Sequence, residues 1–214
     1  PGNFYTAPDF PLPIKLFVAL VHTACKKLFM KKLLVLLLSL ISSASFAQIP
    51  PAEIQIKTAL LAAPSDKRAD AMVYGFNPQG EFVVLRKGSN EFICIADDPK
   101  AAGLSVSCYH KDLEPFMARG RALKAQSKTF KEVFDIREAE AKSGKLKMPK
   151  QAANLQVFSA DAENYNATTG EVTKGHYRYV VYIPWATAAS TGLPSKPEVA
   201  GMPWIMDPGT HRAH

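Results

Sequence analysis

The chain has 214 residues, 47% of them apolar and 21% charged, with 26 basic residues against 19 acidic ones. That apolar share excludes a disordered chain, and the length bounds the protein to one domain of ordinary size. A net charge of +7 suggests nucleic acid as a partner, but no recognised nucleic-acid motif is present and part of the excess lies in a leader, so that class is set aside.

The leader is the first element in chain order. Met30, the basic pair Lys31 and Lys32, an apolar run from Leu33 to Ile41, and Ser45-Phe46-Ala47 before Gln48 have the three-part layout of a secretory signal peptide, residues 30–47. The apolar run is shorter than the about 20 residues of a permanent span, so no membrane anchor is expected after cleavage. Residues 1–29 begin with proline and precede Met30; they are read as upstream translation outside the native protein. The mature chain, residues 48–214, is then a single periplasmic or secreted domain. It holds 21 basic and 18 acidic residues, a net charge of only +3.

Pro50-Pro51 opens a helical pattern through Ile54, Thr58 and Leu61 that Pro64 stops. From Ala71 to Ala96 the period changes to two, with turn residues at Pro78-Gln79-Gly80 and Gly88-Ser89-Asn90. This reads as a three-stranded antiparallel meander. Its third strand carries Cys94, and a loop leads on to Cys108. Outside the cytoplasm these two cysteines are expected to pair, tying the loop back to the meander for roughly 3 kcal/mol of loop entropy.

Helical spacing returns with Asp112, Leu113, Phe116, Met117 and Leu123, weakened by Gly120. Thr129 and Glu132 have capping-box spacing, ahead of Phe130, Val133, Phe134 and Arg137; the aromatics of this second helix are read as core. Strands follow at Leu155–Ala160 and His176–Trp185, the latter placing Tyr177, Tyr179, Val181 and Ile183 on one face, which is expected to be buried. The fold class is therefore α+β, an antiparallel sheet of meander and later strands packed by two or three helices.

Chemistry is sparse. His211 and His214 would share a metal on a helix, but Asp207-Pro208-Gly209-Thr210 is a turn, and in a strand an offset of three puts them on opposite faces. His176, His211 and His214 are the metal candidates, with His110 and Asp207 as additional donors. Residues 119–150 carry ten basic and four acidic side chains, and the face made by Arg119, Arg121, Lys124, Lys128 and Lys131 is the candidate surface for an anionic envelope component or a protein. Ser190 and Ser195 lack a nucleophile elbow, and no phosphate loop or dinucleotide fingerprint occurs. The sequence calls for no cofactor.

The pieces "ALLAAPSDKRADAMVYGF", "LRKGSNEFICIADDP", "SVSCYHKD", "SGKLKMP" and the closing "PWIMDPGTHRAH" resemble a group of bacterial secreted proteins of unknown function. The resemblance implies export and a shared fold, and brings no reaction or catalytic residue. It also implies an apolar strand after His214, so the chain is expected to be truncated there. The functional expectation is a non-catalytic binding or interaction domain of the envelope or periplasm; the alternative is a small metal-dependent or hydrolytic enzyme using the C-terminal histidines.

Overall fold

A computed structural model describes residues 49–214. The segment expected to be upstream translation and the signal peptide lie outside the described residues. The described chain is an α+β fold with one six-stranded sheet, a two-stranded hairpin and four α-helices.

Pro51 sets the start of α1, Ala52–Ala59, which tightens into a 3-10 turn at Leu60–Ala62 before Pro64. Strands β1 (Met72–Phe76), β2 (Phe82–Arg86) and β3 (Phe92–Ile95) follow at the positions that the period of two marks. Their pairing differs from a meander. β2 folds back antiparallel on β1, but β3 lies on the other side of β1 and runs parallel to it. The link from β2 passes beneath the start of β1, where Ser89 and Asn90 both donate backbone N–H groups to the Asp70 carbonyl. A Cβ on Gly88 would stand 2.1 Å from the Met72 nitrogen, so only glycine lets the two backbones cross this closely. The sheet is thus mixed, not wholly antiparallel.

β4 (Leu104–His110) and β5 (Ala153–Ala160) extend the sheet antiparallel, and β8 (His176–Tyr182) closes it as an edge, giving the order β2-β1-β3-β4-β5-β8. The short pair β6 (Tyr165–Asn166) and β7 (Glu171–Val172) forms the separate hairpin. Cys94 and Cys108 are direct cross-strand partners on β3 and β4 and are joined as a disulfide. The second cysteine therefore sits inside the sheet, and the bond clips two neighbouring strands rather than pinning a loop.

The sheet is covered unequally. On one face α1 and its 3-10 turn pack Ala59, Ala62 and Ala63 against Val73, Cys94, Val106, Cys108 and Phe158. Small side chains let this short helix lie close, and the buried Gln55 amide bonds the Phe76 backbone at both N–H and carbonyl. On the other face α2 (Glu114–Ala125) and α3 (Phe130–Lys142) bury Ile93, Tyr109, Leu113, Phe116, Leu155, Val180 and Tyr182. The capping box at Thr129 and Glu132 is formed as its spacing requires. Phe130 is not core: it is 72% exposed, beneath the Arg212 guanidinium.

The same asymmetry inverts the expectation for β8. Val180 and Tyr182 are buried against the two longer helices, whereas Tyr177, Tyr179 and Val181 are exposed. α1 spans eight residues, about 12 Å of axis. It leaves the last strand uncovered on its side, save for the Tyr177 hydroxyl, which donates to the Leu61 carbonyl.

Candidate binding groove along the free edge

Beyond β8 the chain turns through a short helix, α4 (Ala188–Thr191), and a proline-bearing loop, then returns as residues 205–214. Ile205 and Ala213 are buried with Ala186 in a small separate core. The returning segment pairs with the continuation of β8: Ile183 donates to the Ala213 carbonyl and Trp185 to the Thr210 carbonyl. Chain direction is antiparallel, because 183 meets 213 and 185 meets 210. Since Ile183 points its N–H away from β5, alternation places the N–H and carbonyl groups of Tyr177, Tyr179 and Val181 on the same outer side. Among the described residues no backbone group bonds them there.

That edge forms one wall of an open cavity of about 880 Å³. Its other wall is the loop Pro197–Met206, with Val199, Met202 and Trp204 facing in, and His214 lines it as well. Residues of both parities from β8, Tyr177 and Tyr179 as well as Arg178 and Val180, line the cavity. Side chains of one face alone would show one parity, so the cavity reaches the strand's main chain. The loop wall is fixed by Ile205 donating to the Pro194 carbonyl and by reciprocal bonds between Met206 and His214. Arg178 has no ion-pair partner among the described residues.

The histidines do not converge. His176 begins β8 and His214 stacks on Tyr182 at its far end, six residues or about 20 Å away along a strand. His214 is shifted below its ordinary value by burial. His211 is fully buried, edge-on to Phe116 and Phe134. Its Nδ1 donates to Glu138 Oε2, which also accepts the His211 backbone N–H at 3.0 Å. Burial holds the His211 imidazole below its usual pKa, and its Nε2 is buried with no partner, as is Arg137 Nε. Burial works against ionisation of Glu138 too, but Lys142 and the His211 donors overcome it and lower the carboxyl to about 2. His110 ends β4 and accepts from the Asp112 N–H. Among the described residues no three His, Cys, Asp or Glu side chains are placed to hold one metal ion.

The basic face is largely neutralised. Arg119 makes a two-pronged pair with Glu140, Arg121 pairs with Glu114 and the Tyr109 hydroxyl, Lys128 with Glu132, and Lys131 with Asp135. Lys124 is exposed and makes no ion pair among the described residues. Ser190 closes a capping box with Thr187 in α4, a structural task, and Ser195 lies exposed in the loop. Reading by spacing missed the groove because its two walls come from residues 177–183 and 197–206, and only the fold sets them face to face. No family model, curated protein or solved structure matches the chain, so the reading rests on this geometry.

Proposed function

We propose that this is an exported, non-catalytic binding domain of the bacterial envelope or periplasm, and that it takes its partner in the groove beside β8. The observation that carries the reading is the largely apolar, walled cavity against a strand whose aromatic face and main-chain edge are both uncovered among the described residues. Pockets of this size with a few polar groups are ordinary ligand sites, and uncovered apolar surface beside them marks recognition. Export is supported by the leader layout of residues 30–47 and by a buried disulfide in the sheet. The hydrolytic alternative has less support: a base must reach its substrate, His211 has no exposed surface, and His176 and His214 stand at opposite ends of β8 and cannot act on one group.

The purified chain 48–214 is expected to bind the apolar dye 1-anilinonaphthalene-8-sulfonate. Val181→Asp with Val199→Asp should abolish uptake, and Lys131→Ala should leave it intact. Uptake indifferent to the groove pair overturns the reading. Export is tested separately, by a mature N-terminus at Gln48 and thiols that resist alkylation in the native protein.

A further inference from the structure

Away from the groove, where α2 and α3 pack together, a buried cation has no anion beside it among the described residues. Arg137 is 9% exposed, and buried charges are ordinarily paired. Burial lowers it to about 10, so at pH 7 it is still a guanidinium. The charged group that acts on it is Arg212, of like sign; its other neighbour is the Tyr182 phenol, which burial raises and so keeps neutral. The carboxylates close by in the fold are already engaged. Glu138 serves Lys142 and His211, and Asp207 lies 3.2 Å from Arg212. Two guanidiniums against one carboxylate leave one positive charge unbalanced.

We propose that Arg137 binds one small carboxylate ligand, with Arg212 supplying the second positive charge of the site. The free edge of the Arg137 guanidinium names the class. Nη1 is committed to the Phe116 carbonyl at 3.3 Å. Nε is buried with no partner, and Nη2 makes no hydrogen bond among the described residues. Nε–H and Nη2–H leave one rigid plane in the same direction, and two carboxylate oxygens match that fork. A spherical anion would leave the two-point match unused. The fork is also held in place before any ligand arrives. The guanidinium carbon lies 3.9 Å over the Phe116 ring, so little ordering remains to oppose binding. One unbalanced charge favours a singly charged ligand over a phosphate group, which carries about 1.5 to 2 charges at neutral pH. Arg137, Arg212 and Tyr182 do not line the cavity beside β8, so this site is separate from the groove.

The test follows thermal unfolding of chain 48–214 at pH 7 in sodium acetate, phosphate or chloride at matched ionic strength. Acetate should raise the midpoint along a saturation curve, by about 3–6 °C at a tenfold excess over its dissociation constant. Chloride should not. Arg137→Lys keeps the charge and loses the fork, so acetate affinity should fall about tenfold or more, whereas Lys131→Ala should leave it unchanged. If Arg137→Lys disturbs the fold, the unaltered protein decides by nuclear magnetic resonance: the Arg137 Nε–H signal should move with acetate in the same saturating way and ignore chloride. An equal response to chloride and acetate, a response to phosphate alone, or acetate binding unchanged in Arg137→Lys would overturn the site. So would an Nε–H signal that no anion moves, since the edge would then be filled from within. None of these outcomes bears on dye uptake by the groove, and loss of dye uptake leaves the acetate result standing.

Discussion

Glu138 is the residue on which the closing segment hangs. One of its oxygens accepts two N–H groups of His211, and the other pairs with Lys142 at 2.8 Å. Glu138→Ala would strand both His211 donors in the interior, at about 1–3 kcal/mol for each unsatisfied group, so urea unfolding should show a loss of about 2–6 kcal/mol. The imidazole also gives a pH signature. Its folded pKa lies below the ordinary 6.5, so the unfolded chain binds the extra proton first, and this contribution is complete above pH 6.5 and lost as pH falls through the folded value. Asp97 opposes it, since burial raises that carboxyl to about 6. The useful quantity is therefore the difference in unfolding free energy between the protein and His211→Gln, from which the Asp97 contribution cancels. That difference should shrink as pH falls from 7 toward 5; a difference that grows as pH falls would mean that the ring is charged in the fold.

At the scale of elements, the contact between α2 and α3 turns on Gly120, which counts against a helix by propensity alone. A Cβ there would stand 3.0 Å from Arg137 Nη1, and that guanidinium cannot retreat. It lies 3.9 Å over the Phe116 ring and donates to the Phe116 carbonyl. Gly120→Ala should therefore forfeit the about 1 kcal/mol that alanine normally gains in a helix, and Gly120→Leu should cost about 2 kcal/mol or more through overpacking, both read from thermal unfolding. The contrast shows what the sequence could reveal. Helix starts at Pro51 and Thr129 and the strands around Tyr74, Val84 and Phe158 follow local rules of capping and alternation, and they stand where those rules put them. The parallel pairing of β1 and β3 was hidden because Gly88 reads equally as a turn residue or as a backbone crossing. The exposed face of β8 was hidden for a different reason. Alternation defines two faces of a strand, but which one is buried depends on how far a distant helix reaches. The pairing of His211 with Glu138, and the groove itself, join residues that share no local pattern.

At the scale of the whole molecule, the disulfide links the fold to the compartment. Cys94 and Cys108 stand opposite each other in the middle of the sheet, both fully buried, with the Cys108 sulfur against the Ala59 carbonyl of α1. Two strands and the covering helix therefore meet at this bond. Reduction removes the loop constraint on the unfolded chain, roughly 3 kcal/mol at this separation, and that is a large part of the 5–15 kcal/mol or so that holds a domain folded. The oxidised protein should resist alkylation, and its reduced form should unfold at lower urea by that margin. Cys94→Ala with Cys108→Ala should match the reduced form, since both lose the same constraint. A pair of curves that coincide for oxidised and reduced protein would show the bond to be incidental to stability. It would also remove one of the two supports for export, because a domain indifferent to this bond has no need of an oxidising compartment in which to form it.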